Sequence, residues 1–485
     1  MSSEQRGPTI SPMTDLPLSN IRVLDMSRVF AMPYAGAYLA DLGAEVLKVE
    51  SCQVQFMDTT RTLNGPYPEN DPGEQYWERG GTYQTLNRGK RSLTLDFRSD
   101  DALKIVKSLV SLSDIVLENF TPRVMRRFGL DYPNLKAVKP DLIMVSNTGY
   151  GHSGPWSEFG AMASALESTH GTGAFMGYLE PGPGGQLEPG DVPNKIGHSY
   201  TDFLASWTAQ LAVMAALIHR AKTGQGVWVD LAMYQVGVSY IGEGMLDYAF
   251  NGRTNPGLAS RRIGNRHRFM SPHGCYPCRG EDQWVTLAVR DDSEWEGFCQ
   301  ALGRPELAVD RRFALPLDRH RHQDQLDEII TAWTSTHESY HVMESMQLRG
   351  VPAAPVVNAR QLLADPHFRQ RGFFEAVDHS NDPCSENPGL GRKEYVGRGW
   401  KMAAADIKIR AGAPTLGEAN GYVLGGLLGL DQEETQRLHQ QGIIGTKPVG
   451  GSVPGSTPLA DQVELGWIAG YDSQYDQSSG LGGSK

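Results

Sequence analysis

Residues 21–50 read IRVLDMSRVFAMPYAGAYLADLGAEVLKVE, and the fold is decided here. IRVLD (21–25) has the apolar density of a strand, PYAGAYLADLG (33–43) the texture of a helix, and AEVLKVE (44–50) that of a second strand. Strand, helix and strand in so short a span make a βαβ unit, whose two strands run parallel through a right-handed crossover. The alternation continues outward. RSLTLDF (91–97), DIVLENF (114–120), DLIMVSN (141–147) and GVWVDLAM (226–233) read as further strands, and SDDALKIVKSLVSLS (99–113) as a helix between two of them. The expected class is therefore α/β, with a parallel sheet whose ligands are met beyond the C-terminal ends of its strands.

The remaining chain divides by texture. Residues 1–19 read as a flexible leader, and 51–86, rich in Gly, Pro and Asn, as a long irregular insertion. TDFLASWTAQLAVMAALIHRAKTG (201–224) is a long apolar helix closed by Gly224 and expected to be buried. Near residue 250 the sequence turns to Asn/Gly/Arg-rich loops, followed by a strand at QWVTLAV (283–289) and helices to about 348. The expected organisation is a large domain beginning at 20–225, a linker helix and small domain at 226–345, a return to the large domain at 346–445, and a disordered tail at 446–485.

Composition excludes several functions. At 485 residues the chain can bury a large core, and its formal charge of −11 argues against a nucleic-acid partner. No apolar run approaches the ~20 residues of a membrane span, and the N-terminus has no signal pattern. Five widely spaced cysteines suggest reduced thiols and a cytoplasmic setting. The lone CxxC of Cys275 and Cys278 reads as two structural cysteines at a turn between strands, and RHRH (319–322) as a solvated face rather than a metal site. No Walker A, HExxH or GxSxG pattern occurs, and no strand is followed by GxGxxG.

Three stretches carry chemistry. NRGKRSLTLDFR (87–98) brings Lys90, Arg91 and Arg98 to the ends of one strand. ENFTPRVMRRFG (118–129) puts Asn119 at the end of another, with Arg127 a helical turn or two later. Arginine forks suit phosphate oxygens, and a helix starting after a strand adds backbone donors, although each piece alone is ordinary surface charge. In NKIGHSYTDFLASW (194–207), Asp202 lies at the start of the long helix. An acid in a first helical turn is common cap chemistry; it is also a carboxylate that stays ionised and can act as a nucleophile where a pocket meets it. The residues alone leave both readings open.

In order along the chain, VLDMSRVFAMPYAGAYLADLGAEVLKVE, NRGKRSLTLDF, DIVLENFTP, GYGHSGP, YTD…HRAKTGQG and GVPAAPV resemble the class III CoA-transferase family, which includes formyl-CoA and carnitine CoA-transferases. The resemblance runs from Ile21 to Gly445. It implies a Rossmann-like large domain and a smaller α+β domain joined by two linkers, in an interlocked homodimer. It implies a CoA-transferase acting on an acyl-CoA and a free carboxylic acid, with no metal and no cofactor beyond CoA as part of its substrate. It assigns the nucleophile of an aspartyl anhydride and aspartyl-CoA thioester to Asp202. It carries CoA contacts to Phe30 and Ala31, to Leu95, Asp96, Phe97 and Arg98, to Asn119, Phe120 and Thr121, to Arg127, and to the segment Gly160, Ala161, Met162 and Ala163.

The departures are informative. Phe30 replaces a glutamine of formyl-CoA transferase, Arg261 to Gly274 stand where it has a glycine-rich lid, and Gly160 and Ala163 replace larger polar or charged side chains. Oxalate and formate are thereby disfavoured relative to a roomier or more apolar acid, and Arg266, His267 and Arg268 become candidates for meeting the acid's free carboxylate. At Ala163, where the family's racemases would place a catalytic aspartate, a methyl group cannot move a proton. An α-methylacyl-CoA racemase-like isomerase is the first alternative. The second is a non-catalytic CoA-binding subunit of a hetero-oligomer.

Overall fold

A computed structural model describes residues 16–62, 66–177, 193–196, 200–254, 262–379, 390–451, 457–473 and 475. The described residues fall into two compact units, one drawn from residues 1–170, 197–240 and 366–485, the other from 171–196 and 241–365. In the first unit six strands form one parallel sheet: β1 (Arg22–Asp25), β2 (Glu45–Glu50), β3 (Arg91–Thr94), β4 (Ile115–Glu118), β5 (Ile143–Thr148) and β6 (Val227–Ala232), in the spatial order β3-β2-β1-β4-β5-β6. The order reverses between β1 and β4. Crossovers then leave to opposite faces, opening a crevice at the strands' C-terminal ends.

Both faces are apolar, so successive strand residues pack into different cores. Leu24, Leu47, Val116 and Met144 join helix Asp100–Ser111 and Val423 on one face, whereas Val23, Val46, Ile115 and Ile143 join helices Ala31–Asp41 and Tyr200–Thr223 on the other. Ser99 caps helix Asp100–Ser111 by accepting the Asp101 N–H at 3.2 Å.

Several expectations need correction. The 51–86 segment is not irregular: it holds helices Thr59–Thr62, Tyr76–Arg79 and Gly81–Asn87 (the last ending one residue beyond it) and buries charge against the sheet. Arg61 is fully buried, donating to both oxygens of Glu50 at 2.8 Å, to Glu78 at 2.7 Å and to the Pro414 carbonyl at 2.9 Å. Buried Lys48 pairs with Asp58 at 3.0 Å. Polar composition here signals a salt-bridged interior rather than solvated loop.

The long helix Tyr200–Thr223 is buried along one face only. Ala205, Ala209 and Val213 pack on the sheet, but Trp207 is 49%, Leu211 72% and Ile218 57% exposed. By length and composition this helix is also apolar enough to cross a membrane, contrary to the sequence reading; its packed face instead belongs to the sheet's core. At the N-terminus, Leu16 and Leu18 are buried and the Leu18 N–H donates to the Leu42 carbonyl at 3.0 Å, so residues 16–19 of the expected leader are part of the folded unit. Residues 1–15 lie outside the described ones. In the expected tail, Val449 bonds to Cys52 and Leu459–Glu464 is helical. β6 belongs to the first unit's sheet although it follows residue 225, and that unit resumes at Pro366 rather than 346.

In the first unit β10 (Phe374–Asp378) and β11 (Arg392–Val396) form a separate antiparallel pair. The second unit carries an antiparallel sheet of β7 (His273–Pro277), β8 (Trp284–Ala288) and β9 (Ala353–Val356), closed over Val285, Trp295, Phe298 and Phe313. Cys275 lies in the middle of β7, opposite Thr286, and Cys278 just past its end in the β7–β8 hairpin, both as free thiols, so only Cys278 is at the expected turn. RHRH is only partly a solvated face, because Arg319 is buried on the Trp295 ring and paired with Asp292 at 2.7 Å.

Replacing Arg61 with Leu strands Glu50 and Glu78 in the interior without their cation. Urea denaturation of Arg61→Leu is expected to lose about 3–5 kcal/mol. Arg61→Lys is expected to recover only part of it, since an ammonium cannot fork to two carboxylates.

Candidate active site

The crevice at the sheet's switch point is held by one side chain. Asn119, just past β4, accepts the Arg28 N–H through Oδ1 at 2.9 Å and donates through Nδ2 to the Arg28 carbonyl at 2.7 Å. Val29 follows in the left-handed region at φ 68°, which a β-branched residue occupies only when its surroundings impose it. Its N–H points to the buried Asp58 carboxylate at 3.4 Å, which Lys48 holds from the other side.

A cavity of about 400 Å³ opens at these strand ends. Val29, Phe30 and Thr59 line it, with Asn119–Pro122 after β4, Asn147–Gly149 at the end of β5, the segment Phe159 to Ser164 apart from Gly160, and Asp202 and Met233. Asp202 is the only ionisable residue among these. The lining contains no Lys, Arg or His.

Asp202 is placed by its neighbours. Thr201 is buried, with Oγ1 3.1 Å from Nε2 of His170, and Phe203 packs edge-on against Tyr34 and Phe30 of the helix that follows β1. Gly237 faces the His170 ring so closely that a Cβ there would lie 2.2 Å from it. Gly149 likewise lies against the cavity wall: a Cβ would come 2.3 Å from that of Ala161.

Burial works against the expected ionisation of Asp202. Burial pushes its pKa up to about 7, and no ion pair among the described residues offsets it. A first-turn position supplies only a weak field, which desolvation outweighs.

Of the residues singled out from the sequence, Phe30, Asn119, Phe120, Thr121, Ala161, Met162, Ala163 and Asp202 are brought together around this cavity. The others are not among its lining. Ala31 is buried as the first residue of its helix, Leu95 belongs to the core, and the Phe97 ring packs on Phe128 at 5.8 Å. Gly160 has open space where a Cβ would point. Arg98 is exposed, gripped by Asp96 at 3.0 Å and lying over the Phe56 ring, and Arg127 lies beside Phe128. Lys90 is unavailable to a phosphate because it is buried in a pair with Asp25 at 2.7 Å.

Arg266 and Arg268 are engaged as well, with Asp327 and with Asp247 respectively, while His267 accepts the Phe269 N–H through Nδ1. Arg261 lies outside the described residues. Sequence reasoning missed Thr59, Asn147, Thr148 and Met233. The two β5 residues were within reach, since ligands gather at the ends of parallel strands; Thr59 was hidden in a segment read as loop. Among the described residues no cluster of His, Cys, Asp and Glu could hold a metal.

Comparison with known proteins gives the class: this doubly wound sheet, with its cavity at the switch point, is that of a CoA-transferase. The sequence profile of CoA-transferase family III matches residues 18–420, and the chain belongs to that family. It is 32% identical to the succinyl-CoA–D-citramalate CoA-transferase of Chloroflexus aurantiacus, over 88% of this chain and 98% of that protein. It is 31% identical to the succinate–glutarate CoA-transferase of Agrobacterium fabrum, over 87% of this chain and 100% of that one. The crystal structure of a CAIB/BAIF family protein from Brucella suis superposes with a TM-score of 0.72 at 29% identity, covering 85% of this chain and 100% of that one.

The raised pKa of Asp202 has a thermodynamic consequence. The folded protein holds this proton up to about 7, whereas the unfolded chain releases it in the ordinary carboxylate range. The folded state therefore loses stability as pH rises through that window. Asp202→Asn, which carries no charge, is expected to be more stable than the parent by roughly 2–4 kcal/mol at about pH 8 and equal to it at about pH 4. Chemical denaturation of both proteins at the two pH values measures this.

Proposed function

We propose that the protein exchanges CoA between an acyl-CoA and a free carboxylic acid with Asp202 as the covalent carrier. The observation that carries this reading is the single desolvated carboxylate in a cavity whose lining, among the described residues, holds no cation. CoA transfer between an acyl-CoA and a carboxylic acid is the activity of the family; the route through Asp202 is the proposal. The Asp202 carboxylate adds to the thioester carbonyl and the C–S bond breaks, leaving a mixed anhydride and CoA thiolate. The thiolate attacks the aspartyl carbonyl, forming an aspartyl-CoA thioester and freeing the donor's acid. The acceptor's carboxylate then attacks that thioester, and the returning thiolate takes the new acyl group, restoring the Asp202 carboxylate.

Poor solvation makes the ionised carboxylate more reactive and keeps water from the anhydride. Asn147, Thr148 and Asn119 supply side-chain donors in the lining for the oxyanion that develops. Phe30 and Asn119 to Thr121 would line the path of the pantetheine arm, with Arg98 and Arg127 beyond the cavity for the phosphates.

The relatives point to the acid. Those reported above carry citramalate, succinate and glutarate in their names, and a third, from Haloarcula hispanica, is a succinyl-CoA:mesaconate CoA-transferase 34% identical over 74% of this chain and 85% of its own. All of these are dicarboxylic acids, so the proposed substrates here are a dicarboxylic acid and its CoA thioester. The exposed apolar face of the long helix, with Trp207, Leu211 and Ile218, supports a homodimer. A hetero-oligomer is the second reading: the chain is 29% and 28% identical to the alpha and beta subunits of a succinyl-CoA–L-malate CoA-transferase of Chloroflexus aurantiacus. The four described cysteines are free, which supports a cytoplasmic setting.

Asp202→Ala is expected to abolish exchange between succinyl-CoA and glutarate or mesaconate while still binding CoA. Hydroxylamine added after acyl-CoA is expected to modify Asp202 alone and to inactivate the enzyme. An alanine variant with near-normal turnover would reduce Asp202 to a helix-start residue. Native mass spectrometry of the protein expressed alone is expected to give an active dimer; an inert monomer would favour the two-subunit reading.

A further inference from the structure

Glu118 is the last residue of β4, immediately before the cavity segment Asn119–Thr121, and its side chain is fully buried. One oxygen is satisfied: Oε2 accepts the Phe120 N–H at 2.9 Å. The Ser146 hydroxyl, which itself accepts from Nε1 of Trp228 at 3.0 Å, also bonds to this carboxyl. The other oxygen, Oε1, is buried without a hydrogen-bond partner among the described residues. Nε2 of His152, likewise buried and unpartnered, lies 3.9 Å away.

His152 stands in the turn after β5, whose end also walls the cavity. Its main-chain N–H donates to both Asp230 oxygens, at 3.1 and 3.0 Å, and its ring meets the edge of Trp228 at 5.0 Å. Two buried polar atoms without partners, one from each of two adjacent strand ends, need to come only roughly 1 Å closer to form a hydrogen bond. An ionised carboxylate and a bare imidazole nitrogen would both be acceptors. A proton between them satisfies both.

We propose that Glu118 carries this proton on Oε1 and donates it to Nε2 of His152, tying the two cavity-lining strand ends together. Under the CoA-transferase reading, on which this functional role rests, both are positioning residues that hold Asn119–Thr121 against acyl-CoA and do not touch the reacting atoms.

The charged and titratable surroundings favour this state. Burial, together with the Asp230 carboxylate, pushes Glu118 up to about 7, against the pull of its bonds from Ser146 and Phe120. Burial lowers the pKa of His152, and Arg126 acts in the same direction, while Asp230 and Glu158 oppose it. Below about pH 7 the pair is thus chiefly carboxylic acid and neutral imidazole. With the ring hydrogen kept on Nδ1, rising pH removes the Glu118 proton and with it the tie. The same rise ionises Asp202, so kcat is expected to increase while KM for acyl-CoA worsens.

Two measurements test this. In the full-length enzyme without substrate, the ring ¹⁵N signals of His152 just below neutral pH are expected to report an unprotonated, hydrogen-bonded Nε2 with the ring hydrogen on Nδ1. Glu118→Ala, or Glu118→Leu should the alanine variant not fold, is expected to shift them. Protonated Nε2, or signals unchanged in these variants, would overturn the tie. The second measurement is the pH profile of KM for succinyl-CoA. Glu118→Ala is expected to raise it about fivefold or more below neutral pH and to leave it flat, so that the parent's value climbs to meet it on the alkaline side. Glu118→Gln keeps a donor that cannot ionise, so KM is expected to stay low and flat where the parent's climbs. A glutamine variant that behaves like alanine, or that retains the parent's alkaline climb, would overturn the positioning role. The ¹⁵N measurement needs no turnover, so a parent enzyme inert in exchange would count against the proposed function and leave the tie standing or falling on its own.

Discussion

The amide of Asn119, bonded in both directions to the backbone of Arg28, holds the crevice around which the first unit is organised. A parallel sheet that reverses its strand order leaves a gap at the reversal, because neighbouring crossovers depart to opposite faces. Two strands diverging from that gap would splay without a tie. Here the amide bridges β1 to β4 at the point of divergence. Val29 and Phe30 therefore leave on one side of the cavity and Phe120 and Thr121 on another. The strained Val29 backbone, facing the Asp58 carboxylate, is the local cost of turning the chain so sharply.

Buried charge is used in two ways. Around the 51–86 segment every buried cation named here meets an acid: Arg61 meets Glu50 and Glu78, Lys48 meets Asp58, and Lys90 meets Asp25. These pairs hold a polar stretch onto the sheet, and breaking one would expose the other half to the full desolvation cost. At the cavity the pattern inverts. Asp202 and Glu118 are desolvated carboxyls with no Lys or Arg paired to them among the described residues, and each has its pKa raised to about 7. Such an arrangement stabilises nothing when ionised, which is a reason to look for its role in chemistry and positioning.

The alternating strands and helices were legible because each strand is apolar on both faces and short, leaving a period that few other arrangements produce. β1, β2, β4, β5 and β6 lie within two residues of their expected ends at each terminus; β3 is shorter, since after Leu95, which still donates to the Glu50 carbonyl at 2.8 Å, the Asp96 N–H donates instead to the Ile443 carbonyl at 2.9 Å. The 51–86 segment was misread because its charges look solvated in sequence, and only their pairing shows them to be interior. The long helix was expected to be buried, yet its composition is equally suited to a face packed on a sheet and a face left open.

By itself, the order of motifs determined the family, the parallel sheet and the position of the candidate nucleophile, since these depend on local periodicity and on short signatures that survive in one dimension. The protonation of Asp202 was not available there, because a helix start suggests an ionised acid while the apolar walls that desolvate it come from strand ends and loops far apart in the chain. The same holds for Thr59, for the engaged arginines Arg266 and Arg268, and for the Glu118–His152 contact. Each depends on which groups share a dry volume. That is decided only when tertiary packing removes water and brings distant segments within reach of one another.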